Sequence, residues 1–311
     1  ENTPKGAVAA IDGTTFSVSQ AQRMEQEFTD NGIIFKTDFC PFDTINPERP
    51  PRPGNKLFVH DEAIVGESVD SKIERTLAEV KKEMANAVML SSLDDIAWAT
   101  NLRTAGDIAF SPIFVSYLYL SGEQRILFAD ADKINDAVML HLEKYRIEAK
   151  GYDEVFDFVH SLPKSVRLLT DPAKTSRTLY DSMNCTPVFG GAGVAKLKSI
   201  KNESMLGSLD KAMEKDGVAL TRFFMMVEKE LPSGKLTEVL LAERLREIRL
   251  SDPTCVDESF ASIVGFNGHG AIVHYEPTPE TDVAIEGNGL LLVDSGGQYT
   301  LGTTDITRTI A

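Results

Sequence analysis

The sequence predicts an α/β chain that passes into an α+β arrangement in its last third, and three observations carry that prediction. Between about residue 55 and residue 195, short apolar runs alternate with helical periodicities, the pattern of strands and helices laid down in layers. From Glu203 to Arg249 two helical periodicities follow one another, the first of them long. Beyond Ser262 the chain becomes short apolar and β-branched runs set between glycines, ending in Val293 to Ile310, where Asp294 and Asp305 both read as sitting on strands.

Residues 1–54 offer Gly6 to Gly13 as a short strand and turn, a helix starting near Ser17 or Ser19 with Ala21, Met24 and Phe28 on one face, and a strand at Gly32 to Phe35. That is too little for a core of its own. Asn46 to Gly54, with four prolines, reads as an interdomain linker. Residues 55–195 then form a domain. A helix from Ser68 through Met84 carries the stripe Ile73, Leu77 and Val80 and leads to a buried strand, Ala87-Val88-Met89-Leu90. Asp94 and Asp95 cap the turn or helix at Ile96-Ala97-Trp98. Strands at 113–120, 125–129 and 165–170 and helices at 134–144 and 152–161 complete the alternation. Gly190 to Lys196 resembles a phosphate loop only superficially; it lacks the Gly-Lys-Ser/Thr ending and a long apolar strand before it, and reads as a flexible linker.

Residues 196–311 open with the helix Glu203 to Glu230, presenting Met205, Leu209, Ala212, Met213, Ala219, Phe223 and Val227 as a core face. Pro232-Ser233-Gly234 ends it and Thr237 starts a second helix through Arg249, with Leu240, Leu241 and Leu245 inward. Strands are expected at 262–266, 271–275 and 289–293.

Composition narrows the function. A net charge of −15 and a pI near 4.8 exclude a nucleic-acid or anionic-membrane partner, because phosphate repels such a surface. Cys40, Cys185 and Cys255 form no CxxC pair and read as free thiols of a reducing, cytoplasmic compartment. No run approaches the ~18 apolar residues of a membrane span, and Glu1 to Pro4 shows no signal pattern. With no initiator Met and an end at Ala311 close to a candidate metal strand, the expectation is a chain cut at both ends.

The chemistry points to the two aspartates. Taken singly, an Asp beside Gly-Gly is usually a turn former. If the chain reverses near Thr300, however, Asp294 and Asp305 become cross-strand neighbours with Cβ atoms roughly 4.5–5.5 Å apart. Like charges that close need a cation between them, and a pair of divalent ions about 3.5–4 Å apart would answer that need.

Asp294-Ser295-Gly296-Gly297-Gln298-Tyr299 followed by Gly302-Thr303-Thr304-Asp305-Ile306-Thr307-Arg308-Thr309 resembles the first two metal-ligand strands of aminopeptidase P, the Xaa-Pro aminopeptidases of the pita-bread metallopeptidase superfamily. Asn267 to Tyr275 resembles that family's segment with a substrate-binding histidine, and Leu93 to Trp98 with Asn101-Leu102-Arg103 resembles its middle domain. The resemblance implies the tail of an N-terminal creatinase-like domain in 1–54, a creatinase N-terminal-like α/β middle domain in 55–195, and the first half of a pita-bread fold in 196–311. It implies release of an N-terminal residue from peptides with proline in the second position, at two divalent metals. Manganese is the family expectation, and the hard oxygen ligands also suit zinc or cobalt. By the same resemblance Asp294 would hold one metal, Asp305 would bridge both, and His274 would donate a hydrogen bond to the peptide or its tetrahedral intermediate. Tyr299 and Arg308 would shape the pocket and Arg103 would reach it; His269 is left unassigned. The family's remaining ligands, a His and two Glu, do not occur before Ala311, so these residues alone are expected to be inactive and to bind manganese weakly. A homodimer, common among relatives, is also expected. Two other functions stay open: a prolidase-like dipeptidase, and a non-catalytic peptide-binding module, for which Met213 in place of a family His is the only support; Met205 also stands where the family has a Glu.

Overall fold

A strand without polar interruption, as Ala87–Leu90 is, requires cover on both faces of its sheet. In the computed structural model, which describes residues 3–311, it has that cover. Glu1 and Asn2, part of the N-terminal reading, lie outside the described residues. The chain divides into two units: one runs up to Val59 and continues through Glu67–Arg103 and Ile113–Ile200, and the other gathers His60–Gly66, Thr104–Pro112 and Lys201–Ala311.

The first unit is built on a six-stranded sheet ordered Thr186–Phe189, Arg167–Thr170, Ala87–Leu90, Tyr117–Ser121, Arg125–Phe128, Glu148–Lys150. The first three strands are mutually parallel, and Tyr117–Ser121 is antiparallel to both its neighbours. Side chains sort by the period of two. Val88, Leu90, Leu118, Leu120 and Leu127 enter one core with Val69, Ile73 and Val80 of the helix Val69–Lys82, while Ala87, Met89, Tyr119, Ile126 and Phe128 enter the other with Val155 and Val159 of the helix Glu154–Ser161. Each of the Val, Leu, Ile, Met and Phe side chains among them contributes about 1.5–3 kcal/mol by leaving water. The strand expected from 113 begins only at Tyr117; Phe114 is fully buried ahead of it without a place in the ladder.

The N-terminal elements form where expected. Val8–Ala10 pairs in parallel with Ile34–Lys36, and the helix between them, Val18–Asp30, opens with a capping box of Ser17 and Gln20. The proline-rich stretch is pinned: Arg52 reaches Asp130 at 3.1 Å and Asp153 at 2.7 Å and lies 4.5 Å from the centre of the Tyr152 ring.

The second unit packs the helices Glu203–Glu230 and Glu238–Leu250 against two three-stranded antiparallel sheets. Asn202 caps the first helix and Thr237 the second, each accepting a backbone N–H with its side chain. Ala212, Asp216, Ala219, Phe223 and Val227 lie on the buried stripe, but Met213, expected in the core, is 41% exposed. The stripe contains a charge. Asp216 and Arg249, both fully buried, meet at 2.7 Å.

Residues 271–275 do not form the expected strand. Asn267–Ala271 is a 3-10 helix, and Asn267 and His274 both take positive φ, which breaks a pleat.

Cys40 is exposed, whereas Cys185 and Cys255 are buried, and burial pushes the Cys255 thiol up to about 11. At pH 8 the folded chain is expected to react with a thiol reagent at Cys40 alone. Rapid labelling of Cys255 in mass spectra of the native protein would contradict that burial.

Candidate metal and peptide site

Leu291–Ser295 is the central strand of its sheet, antiparallel to Ile263–Phe266 on one side and Ile306–Ile310 on the other. Its alternation buries Leu291, Val293 and Ser295 and turns Asp294 to the other face. Asp294 pairs with Thr307, and the hairpin continues with Gln298 opposite Thr303 and Tyr299 opposite Gly302. The reversal therefore falls at Thr300 and Leu301. That places Asp305 two residues from the position facing Asp294, so the expected direct opposition becomes a diagonal one. Asp305, expected on a strand, lies just before Ile306–Ile310 and after Gly302–Thr303, outside both.

The hairpin admits no bulk at its centre. A Cβ on Gly296 would sit 2.0 Å from the Thr304 carbonyl oxygen and 2.1 Å from Ser259 Oγ. Glycine there lets Thr304 fasten the two arms: its N–H donates to the Gly297 carbonyl at 3.0 Å and its hydroxyl accepts from the Gly297 N–H at 2.9 Å. Segments from early in the chain brace the tip. Gln298 Nε2 donates to the Phe110 carbonyl at 2.9 Å, and His60 Nε2 lies 2.6 Å from the Thr300 carbonyl oxygen.

Within this frame Asp294 Oδ1 is buried and has no hydrogen-bond partner. A carboxylate oxygen out of water and without a donor is costly unless a cation completes it. Asp294 and the exposed Asp305 thus fit part of a divalent metal site. Among the described residues no group of three or more His, Cys, Asp or Glu side chains could hold one.

His274 is exposed, at φ 55°. The loop bearing it is tied down by a residue that sequence reasoning passed over, Glu238, which is fully buried. Its Oε1 accepts from the Phe266 N–H at 2.6 Å; its Oε2 accepts from the Tyr275 hydroxyl at 2.8 Å and lies 2.9 Å from His269 Nδ1. His269 and Tyr275 also stack with centroids 4.5 Å apart. The available signal was an acid in the first helical turn just after the Thr237 cap. Replacing Glu238 by Ala is expected to orphan these donors at about 1–3 kcal/mol apiece. Hydrogen exchange at the Phe266 amide should rise with the loss of stability; an unchanged rate would show that the loop is held some other way.

The other expected pocket residues are engaged elsewhere. Tyr299 is buried and its hydroxyl donates to Asp216 Oδ1 at 2.9 Å; burial and that carboxylate push its pKa well above the ordinary tyrosine value. Arg103, in the first unit, directs Nη1 to the carbonyls of Ala97 and Leu102, the latter at 2.8 Å. Arg308 directs Nη1 to the Thr307 carbonyl at 2.7 Å.

Two family models match, the creatinase/prolidase N-terminal domain over residues 48–204 and metallopeptidase family M24 over residues 207–311. Aminopeptidase P2 of Arabidopsis thaliana is 30% identical over 98% of this chain and 48% of its own length. A probable Xaa-Pro aminopeptidase P of Arthroderma gypseum is 32% identical over 100% and 51%. The chain spans about half the length of the curated relatives it matches. Among solved structures, the X-prolyl aminopeptidase of Caenorhabditis elegans, described as a cytosolic enzyme with a di-nuclear active site, superposes with a TM-score of 0.90 at 26% identity, over 99% of this chain and 52% of that one. A Xaa-Pro dipeptidase of Bacillus anthracis shares the fold, with a TM-score of 0.63 at 17% identity over 78% of this chain and 65% of its own.

Proposed function

Because this chain belongs to metallopeptidase family M24 and carries the creatinase/prolidase N-terminal domain ahead of that region, we propose that the whole protein is an Xaa-Pro aminopeptidase, releasing the N-terminal residue from peptides with proline second. The observation that carries the reading is the buried, donorless Asp294 oxygen on the central strand Leu291–Ser295, whose partner strand begins at Ile306 beside Asp305. Asp294 would hold one divalent ion and Asp305 would touch two, manganese being the first choice. Bound there, such ions lower the pKa of a water toward neutrality and polarise a peptide carbonyl. This chain's own part is to fix the two carboxylates through the Thr304 clasp and to present the His274 imidazole, which donates a hydrogen bond to the peptide carbonyl as it gains charge. Tyr299 supports the hairpin through its hydroxyl bond to Asp216.

The likeness to the Arabidopsis thaliana aminopeptidase P2, 30% identical over 98% of this chain, and to the Caenorhabditis elegans X-prolyl aminopeptidase, 26% identical over 99%, supports the aminopeptidase reading. A cytosolic location is supported by the free thiols and by that aminopeptidase neighbour; among the described residues no helix is long and apolar enough to cross a membrane.

With two carboxylates and, among the described residues, no group of three side chains able to hold a metal, residues 1–311 alone are expected to bind manganese weakly and to leave Ala-Pro-Ala intact. The whole protein is expected to release alanine from it with manganese and to stop when a chelator is added. Tight stoichiometric manganese binding by the 311-residue chain would sink the two-ligand claim. Cleavage of Ala-Pro with Ala-Pro-Ala untouched would replace the aminopeptidase by a dipeptidase.

A further inference from the structure

Asparagine is followed by glycine at Asn31-Gly32, Asn267-Gly268 and Asn288-Gly289. Such a pair is the most labile linkage an asparagine can make, because no side chain screens the glycine nitrogen from the carboxamide and the glycine backbone turns freely. The fold treats the three differently. Asn31 follows the helix Val18–Asp30; its Nδ2 donates to the Glu27 carbonyl at 2.8 Å, and the Gly32 N–H donates to the Thr29 carbonyl at 2.9 Å. Asn267 is held at φ 52°, its Oδ1 accepting from the Leu290 N–H at 3.0 Å and its own N–H donating to the Leu290 carbonyl at 2.8 Å. Asn288 is exposed, and among the described residues neither its carboxamide nor the Gly289 N–H meets a hydrogen-bond partner. Gly287, just before it, takes φ +71°.

Packing dictates the glycine after Asn288. A Cβ on Gly289 would stand 2.3 Å from Asn267 Oδ1 and 2.7 Å from the Phe266 ring, so glycine is what lets Asn267 close on both main-chain groups of Leu290. That clasp fixes the entry to Leu291–Ser295, the central strand that carries Asp294. The residue the clasp requires is therefore the one that leaves Asn288 unprotected.

We propose that Asn288 is a site of spontaneous modification, closing to a succinimide and reopening to isoaspartate, and that the change loosens the clasp on Leu290. The Gly289 nitrogen attacks Asn288 Cγ; a C–N bond forms, the Cγ–Nδ2 bond breaks, and the glycine amide proton leaves with Nδ2 as ammonia. Water then opens the ring at either carbonyl, to aspartate with the original main chain or to isoaspartate, whose main chain runs through Cγ and is longer by one carbon. No metal takes part, so the inference stands or falls apart from the peptidase reading. The test incubates the folded 311-residue chain at mildly alkaline pH and body temperature, then maps peptides with a fragmentation that places each amide-to-acid mass gain. Asn288 is expected to convert about fivefold or more faster than Asn31 and Asn267, each of which must first give up a hydrogen bond. In urea, where no fold protects any of them, the three rates should converge. Hydrogen exchange at the Leu290 amide should rise in the aged chain and stay at the parent's rate in Asn288→Asp, which carries the same charge on an unaltered main chain. Asn288→Gln should age without that rise. Conversion of Asn31 or Asn267 as fast as Asn288 in the folded chain, rates that stay apart in urea, or an unchanged Leu290 amide after conversion overturns the proposal.

Discussion

Asp294→Val is expected to make the metal-free chain more stable than the parent while removing the activity proposed for the whole protein. The wild-type strand holds a carboxylate oxygen that is buried and without a donor. An orphaned polar group of this kind costs about 1–3 kcal/mol, and valine suits the central strand of a sheet, so chemical denaturation in chelator should show a gain of about that size. In the whole protein the same change would remove a proposed metal ligand. Several kcal/mol of transition-state charge stabilisation would go with it, a rate loss of about a thousandfold or more. Manganese should raise the melting temperature of the parent whole protein, since a ligand that binds only the folded state stabilises it, and should leave the variant unmoved. If Asp294→Val were instead less stable than the parent in chelator, the oxygen would have a partner in solution and the metal reading would lose its main support.

Asp216→Asn should strongly destabilise the second unit. Arg249 is fully buried, donates to Asp216 from Nε at 2.7 Å and Nη2 at 3.2 Å, and keeps a third nitrogen, Nη1, without a partner. Removing the carboxylate's charge leaves the guanidinium uncompensated in the core, at about 3–5 kcal/mol. The Tyr299 hydroxyl weakens with it, so the loss extends to the hairpin that carries Asp294 and Asp305. Replacing both charges, Asp216→Leu with Arg249→Met, should recover most of the loss, because a buried pair and well-packed apolar side chains of similar volume are often close in energy. Urea unfolding of the three proteins reads both effects. An Asp216→Asn chain within about 0.5 kcal/mol of the parent, the range of an ordinary surface substitution, would mean that the pair is solvated.

Locally encoded features were legible without coordinates. The helix Glu203–Glu230 runs between the residues its periodicity marks, and Thr237 caps the next one, because helix period and capping depend on residues within a few positions of each other. The strand Ala87–Leu90 and its burial follow from four consecutive apolar residues. Asp294 and Asp305 stand out as candidates because the stretch that holds them resembles a family's metal-ligand strands, whereas their residue types alone would read as turn formers.

Only the tertiary structure decided how those pieces meet. The aspartates lie on a diagonal because the turn falls at Thr300 and Leu301, and a small shift in register moves every cross-strand partner. Residues 271–275 had apolar character enough for a strand, but Glu238, from a helix more than twenty residues earlier, gathers His269, Tyr275 and the Phe266 amide and bends the segment away from any ladder. The charge pair in the stripe of Glu203–Glu230, the inward turn of Tyr299, the bracing of the hairpin by His60 and Phe110, and the clasp of Asn267 on Leu290 each join residues distant in sequence. Periodicity and capping are energies of neighbours along the chain. Register, buried charge and clasps are energies of neighbours in space, and they acquire values only when the distant segments have packed.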